Sequence, residues 1–371
     1  MIPVFCHALL FLTDLFLLRF IRRSTFTPPL HFFLLAEQGV LAVLFAAAVC
    51  GKLLYGYVDF HLAAHALAWH GSFFLFASAW LMNRQKVNGK QRRTFPLLIA
   101  VSGCIYCTAA ADALLFEPTA LTVRETEILS PKITKPLTVV FCTDIQTDRI
   151  GRYEHFTLQK IKEQNADLIL FGGDYIQGKT EKDEQRLVKE LNTLLKKIDW
   201  KPPLGIFAVQ GNQEWFLNWK EIFAGTSVAA EEKTVSKDAG ELRLTLLSLH
   251  SSAQKVPVPD KERNGKFRII TGHIPVFAMA GQDADLLLAG HTHGGQVQIP
   301  FFGPLLTNAG DLPRKWASGM TRLPGGGTLI VSNGSGLERG KAPRVRFWCR
   351  PDIWVIRLKP SGNEMVQEIV R

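Results

Sequence analysis

The 371-residue chain has few cysteines, and nowhere do they gather. Of the six, Cys6, Cys50, Cys104 and Cys107 fall in the first third, while Cys142 and Cys349 stand alone in the rest. That spacing makes neither a disulfide framework nor a thiolate zinc site. There is no basic tail and no long block of like charge. The net charge of +10 is shared about equally between residues 1–116 and the remainder, which argues against a nucleic-acid partner. Acidic residues are scarce in those first 116 positions, four against nine Lys and Arg. From Glu117 onward the composition is that of a globular domain.

The apolar first third reads as a membrane anchor of three to four helices, residues 1–116. Candidate spans are Ile2–Phe20, Phe32–Tyr55, Leu62–Met82 and Phe95–Phe116, each near the roughly 20 residues a bilayer requires. The apolar segments repeat and no one cleavage site dominates, so a signal peptide fits poorly. Basic residues cluster at Arg19, Arg22 and Arg23, and again from Arg84 to Arg93. The positive-inside rule puts both loops in the cytoplasm, and one further span carries the chain across. The following domain is therefore expected on the extracytoplasmic face of the membrane that holds the anchor. Asp14, Glu37, His65, His70 and Asp112 either serve a function within the spans or pair inside a bundle.

Residues 117–136 read as an extended linker with at most one strand, and 137–371 as the soluble domain. In that domain apolar runs end again and again in polar residues. Leu137–Cys142 ends in Thr143-Asp144-Ile-Gln146; Ala166–Phe171 in Gly-Gly-Asp174; Gly205–Gln210 in Gly-Asn212-Gln213-Glu214. Lys266–Ile270 leads to Gly-His273, and Asp285–Ala289 to Gly-His291-Thr-His293-Gly-Gly. A ligand at the carboxyl end of a core strand is the usual arrangement in α/β proteins. Five such endings in one domain point to one shared site. Tyr153–Gln164 and Glu184–Ile198 have the apolar spacing of amphipathic helices. Ala224–Gly240, polar and small, reads as a loop or insertion.

Carboxylates, imidazoles and carboxamides together make a mixed nitrogen and oxygen donor set, suited to Mn, Fe or Zn. A carboxylate can bridge two such ions, and a metal pair can activate water to a hydroxide and clamp a displacement at phosphorus. The order Asp144-x-Gln146, Gly-Asp174, Gly-Asn212, Gly-His273, Gly-His291-x-His293 resembles the calcineurin-like metallophosphoesterase superfamily. The extended Gly-His-Thr-His-Gly-Gly-Gln296, with Ser332–Gly336, Pro343–Arg346 and Pro351–Ile353, resembles its membrane-associated bacterial branch, which implies the bacterial inner (plasma) membrane as the location. The resemblance implies an α/β domain of two packed β-sheets flanked by helices, here behind transmembrane helices. It also implies two divalent metal ions. Asp144, Gln146, Asp174 and His293 would hold the first; Asp174, Asn212, His273 and His291 the second. Asp174, Asn212, Gln213 and His273 would be the catalytic set.

Two positions depart from the family pattern. Gln146 stands where a histidine ligand is usual, with Asp148 and His155 as alternative donors nearby. Gln213 stands where a histidine often protonates the leaving group, and glutamine cannot act as that acid. It can still hydrogen-bond a phosphoryl oxygen. Arg344 and Arg346, in a basic stretch from Arg339 to Arg350, either bind substrate phosphate or are surface charge. Trp215 and Trp219 either shape an apolar mouth or pack into the core. The expected activity is hydrolysis of a phosphoester or diphosphate by two-metal hydroxide attack, on a phosphorylated lipid or other membrane-proximal substrate. A catalytically degenerate member that binds a phosphorylated ligand or partner is the alternative.

Overall fold

The computed structural model describes residues 60–84, 86–87, 90–91, 93–215, 218–258, 265–304, 307, 309–339 and 344–361, together with residues 12, 15, 19 and 39. The chain divides into two compact units, Met1–Phe116 with Glu338–Val345, and Glu117–Leu337 with Arg346–Arg371.

In the first unit, helix α1 (Phe60–Asn83) is joined to helix α2 (Thr94–Ala111) through a short hairpin, β1 (Lys86–Val87) and β2 (Lys90–Gln91). The two helices pack against each other. A single π turn, Asp112–Phe116, prolongs α2. Among the described residues, Thr94–Thr119 is the one helix long and apolar enough to cross a membrane. Phe95, Leu97, Leu98, Val101, Ile105, Leu115 and Phe116 stand exposed along it. The expected spans Ile2–Phe20 and Phe32–Tyr55, with Asp14 and Glu37, lie outside the described residues apart from the isolated positions above.

The second unit is built on two six-stranded sheets. One has the order β3 (Thr122–Ser130), β16 (Asp352–Pro360), β4 (Leu137–Cys142), β5 (Leu168–Phe171), β6 (Ile206–Val209), β7 (Val228–Glu231). The other runs β14 (Gly319–Arg322), β15 (Thr328–Val331), β11 (Leu286–Ala289), β10 (Phe267–Thr271), β9 (Leu242–Leu246), β8 (Val235–Ala239). A two-stranded ribbon of β12 (Gln298–Ile299) and β13 (Gly303–Pro304) stands apart from both.

Strand alternation divides the core into layers. Val139 and Phe141 of β4 and Leu168 and Leu170 of β5 meet Leu242, Leu244, Ile269, Leu286, Leu288 and Ile330 of the opposite sheet. Their neighbours Val140, Cys142, Ile169 and Phe171 point the other way. They are covered by Leu158 and Ile161 of helix α3 (Arg152–Glu163) and by Leu187, Leu191, Leu194, Leu195 and Ile198 of helix α4 (Glu181–Ile198). On the far face of the second sheet, Ile270, Leu287, Ala289, Leu329 and Val331 pack with Phe277 and Ala278. Strands buried on both faces read as continuous apolar runs, and each buried Leu, Ile or Phe is worth about 1.5–3 kcal/mol.

One expectation is corrected. Ala224–Gly240 is not a loop: Val228–Glu231 pairs with β6 and Val235–Ala239 with β9, forming one edge of each sheet. Edge strands are half solvated, so their polar composition hid them. The one strand expected within residues 117–136 is Thr122–Ser130, which runs parallel to β16 over nine residues.

What positions the site is the strand direction. β4, β5, β6 and β7 are mutually parallel, as are β9, β10, β11 and β15. All their carboxyl ends therefore open on common edges, where the polar endings come together.

Candidate metal centre

Each functional side chain sits two to four residues beyond a buried strand. Five of them hold the backbone in the left-handed region: Asp144 (φ 50°), Gln146 (38°), Asp174 (54°), His291 (69°) and His293 (48°). Non-glycine residues adopt this conformation uncommonly, and such strain clusters at functional sites. Two glycines permit the close approach. A Cβ on Gly211 would lie 2.1 Å from the Asp174 amide nitrogen, and one on Gly290 would lie 2.2 Å from Asp144 Oδ2.

The donors converge in two groups. In one, His273 Nε2 is 2.9 Å from Asn212 Oδ1 and 3.3 Å from Asp174 Oδ2, while His291 Nδ1 is 2.7 Å from the same Asn212 oxygen. One ligand atom from each of Asp174, His273 and His291 lies within 4.8 Å of the others. In the second group, His293 Nε2 lies 2.5 Å from Gln146 Oε1 and 3.6 Å from Asp144 Oδ1. The Gln146 amide donates to Gln177 Oε1 at 3.2 Å, which turns its oxygen inward. Asp144, Gln146, Asp174, His273 and His293 are buried, whereas Asn212, Gln213 and His291 are half-buried and form the open side.

A cation fits this arrangement. His273 Nδ1 meets the Gly172 carbonyl at 2.8 Å, and a carbonyl only accepts, so the ring donates from Nδ1. Its Nε2 then aims a lone pair at two oxygen acceptors unless a proton or a metal lies between. The buried Nδ1 of His293 has no hydrogen-bond partner among the described residues. Burial pushes the Asp144 carboxyl up to about 7, with His273 opposing and Asp174 adding. Burial pulls on His273 in the other direction, yet Asp174 overrides it and lifts the imidazole to about 9. Asp174 is likewise disfavoured by burial, but His273 and its hydrogen bonds hold it below the usual carboxylate range. Burial, followed by the Arg346 charge, keeps His293 well below its ordinary value and therefore neutral, the form in which imidazole binds metal.

Some residues have other places. Arg346 is fully buried, and its guanidinium donates to the carbonyls of Cys349 (2.8 Å), Asn333 (2.7 Å), Gly334 (3.2 Å) and Gly336. It braces the loop after β15 rather than facing solvent. Arg344 is half-buried and belongs to the first unit. Trp219 stacks on Tyr175 at 5.9 Å in the core, whereas Trp215 is exposed. His155 is exposed on α3, and Asp148 is half-buried before it.

Glu214 was not assigned a role from the sequence. Its buried carboxylate accepts the backbone N–H groups of Asp174 (3.0 Å), Tyr175 (2.6 Å) and Gly211 (3.1 Å), tying the β5 loop to the β6 loop. Its signal was the acidic residue two positions after Asn212, which the family pattern also carries.

Residues 137–295 match the family model for calcineurin-like phosphoesterases. The chain is 27% identical over 234 residues to the uncharacterized metallophosphoesterase YkuE of Bacillus subtilis, spanning 56% of this chain and 76% of that protein. An uncharacterized metallophosphoesterase of Campylobacter jejuni is 26% identical over 283 residues, spanning 72% of this chain and 70% of its own. The phosphodiesterase YaeI of Escherichia coli is 27% identical over 207 residues, spanning 53% and 72%. The matched stretch runs from the first residue of β4 past His293, so all seven converging side chains lie within it. Residues 137–295 are therefore a calcineurin-like phosphoesterase domain, and the second unit that contains them is by class a metal-dependent phosphoesterase.

Proposed function

We propose that this protein is a membrane-anchored phosphoesterase that uses two divalent metal ions, Mn, Fe or Zn, to hydrolyse a phosphoester or diphosphate in a lipid or other membrane-proximal substrate. The observation that carries the reading is the meeting of His273 Nε2 and His291 Nδ1 on one oxygen, Asn212 Oδ1, at 2.9 and 2.7 Å. Asp144, Gln146, Asp174 and His293 would hold one ion, and Asp174, Asn212, His273 and His291 the other. Bound ions supply an activated water and neutralise charge on the phosphoryl oxygens. The chain's own residues orient the donors: Glu214 holds the Asp174 backbone, Gln177 holds the Gln146 amide, and the Gly172 carbonyl fixes the His273 tautomer.

The half-buried side at Asn212, Gln213 and His291 admits the phosphoryl group. Gln213 donates a hydrogen bond to it but cannot protonate a leaving oxygen. Substrates whose leaving group needs no proton are favoured, such as a diphosphate that releases a phosphate. Faster hydrolysis of a simple alkyl phosphate than of a matched diphosphate would count against this.

The apolar helix Thr94–Thr119 and the basic residues preceding it support the anchor. The same residues, by the positive-inside rule, support an extracytoplasmic position for the second unit. A reporter active only in the cytoplasm, fused after Arg371, should stay dark. For the activity, bound metal is measured beside hydrolysis of an aryl phosphodiester, with Asp174→Ala as control. Metal bound without turnover that depends on Asp174 would favour the alternative, a binding protein that has lost catalysis. The inward turn of the Gln146 oxygen favours the enzyme, because a degenerate site has no need to orient that amide.

A further inference from the structure

The loop that carries His291 and His293 continues directly into the β12–β13 ribbon, whose apolar tip stands exposed among the described residues. Its tip, Pro300-Phe301-Phe302, presents Phe301 fully exposed (110%) and Phe302 58% exposed, beside Ile299 at 43%. A second aromatic stands next to it. Phe347 pairs with the base of the ribbon through Gln298 N–H to Phe347 O and Phe347 N–H to Gln296 O, both 2.9 Å. Phe347 leads into Trp348, which is 63% exposed. The Glu117 carboxylate accepts the backbone N–H groups of Trp348 (3.0 Å) and Cys349 (2.5 Å), so the turn that presents this ring is held firmly. Phe301 (φ 66°) and Trp348 (φ 54°) both sit in the left-handed region, where bulky residues are rare. Burial within this unit offsets neither.

Charge surrounds these rings. The Arg314 guanidinium lies over the Phe302 ring at 4.5 Å, and Arg314, Lys315 and Arg350 are all exposed. Between residues 297 and 316 the one acidic residue is Asp311, and it pairs with Lys255 at 2.9 Å. Protruding aromatics interleaved with exposed basic groups suit the boundary between anionic headgroups and acyl chains: rings enter the apolar layer and the cations meet phosphates. An exposed apolar patch of this kind marks an interaction surface. Its link to the centre is short, since Gln298 Nε2 donates to the Gly294 carbonyl at 3.0 Å and Cys349 Sγ to the His293 carbonyl at 3.3 Å.

We infer that the β12–β13 tip and Trp348 form an interfacial wedge that docks the second unit on an anionic bilayer surface. Its purpose, presenting the metal centre to lipid phosphates, rests on the proposed function; the contact itself does not. Hydrogen–deuterium exchange on the full chain in nanodiscs tests it without requiring turnover. In phosphatidylcholine discs containing phosphatidylglycerol, segments 297–304 and 346–350 should exchange about fivefold more slowly than in pure phosphatidylcholine, the factor one basic residue near an anionic surface supplies. Phe301→Ser with Phe302→Ser, and separately Arg314→Glu with Lys315→Glu, should remove the protection while leaving hydrolysis of a soluble aryl phosphodiester unchanged. Equal exchange in both discs, or protection that depends on protein concentration and so reports a second copy, would overturn the inference. Lipid-dependent protection in a protein that hydrolyses nothing would instead overturn the functional reading and leave the wedge standing.

Discussion

Gln177 decides which way Gln146 faces. Its side-chain oxygen takes the Gln146 amide hydrogen at 3.2 Å, so the Gln146 oxygen is left pointing at His293 Nε2, 2.5 Å away. A carboxamide in a histidine's place is a usable donor only if its oxygen, not its nitrogen, faces the ion. Gln177→Leu should therefore weaken metal binding by about 10- to 100-fold, as loss of an orienting partner does. Titration against a chelator measures this. Gln146→His should restore tight binding in the Gln177→Leu background, because imidazole needs no such orientation. Unchanged affinity in Gln177→Leu contradicts the relationship.

Glu214 should matter for stability more than its distance from the open side suggests. It accepts backbone N–H groups from two loops, and removing a partner from buried donors costs about 1–3 kcal/mol. Glu214→Ala is expected to lower Tm by roughly 3–10 °C at the scale of a domain this size. It should also weaken metal binding, because the Asp174 backbone loses its tether. Calorimetry with and without Mn²⁺ separates the two effects.

Metal-free protein should grow less stable as pH rises. Burial lifts Asp144 to about 7 and Glu214 to about 8, and Asp174 lifts His273 to about 9 against the pull of burial. All three bind their protons more tightly in the folded chain than in the unfolded one. Their stabilisation is present in acid and is lost as pH passes through those values. Asp174, held low, has the opposite sign and acts only in acid. Tm in a chelator should thus fall between pH 6.5 and 9. Metal replaces those protons and competes with them, so the Tm gain on adding Mn²⁺ should widen over the same window. A metal-free Tm that rises across it contradicts the sign.

Arg346→Lys should act on the fold and not on substrate affinity. The fork of Arg346 reaches four carbonyls in the loop after β15, which an ammonium cannot span. A loss of about 2–3 kcal/mol is expected from its buried hydrogen bonds. KM for an aryl phosphodiester should be unchanged in the fraction that stays folded. A raised KM with unaltered Tm would place the guanidinium in contact with substrate instead.

Gly211→Ala should disturb the centre locally. Its Cβ would press on the Asp174 amide at 2.1 Å and on Asp174 Oδ1 at 2.2 Å, and no flexible side-chain end is available to yield. Overpacking of this kind costs about 1–3 kcal/mol, and Asp174 stands in the donor group with His273 and His291. Metal content should fall along with Tm, whereas substitution at Gly265, which meets nothing within 4 Å, should leave metal content intact.

The strands that hold the site could be read from the chain because burial on both faces leaves a plain mark: an uninterrupted apolar run that stops at Gly, Asp, Asn or His. Leu137–Cys142, Leu168–Phe171 and Leu286–Ala289 were legible for that reason, and so were the seven donors that follow such runs. Edge strands leave no such mark. Val228–Glu231 and Val235–Ala239 are specified by hydrogen bonds to β6 and β9, and only assembly of the sheets makes those available. The same holds for side chains whose role depends on what surrounds them. Arg346 looks like surface charge in a basic stretch, and only the fold encloses it among carbonyls. Trp219 and Trp215 are four positions apart and alike in the sequence, yet one stacks on Tyr175 and the other faces solvent. Local pattern determined the types of the converging side chains, their order and the strands that carry them. Orientation came from tertiary contacts alone: the Gln177 bond that turns the Gln146 amide, the Gly172 carbonyl that sets the His273 tautomer, and the Glu214 tether on Asp174. Each joins segments separated by about thirty to a hundred residues, and only the packed sheets bring those segments within hydrogen-bond reach.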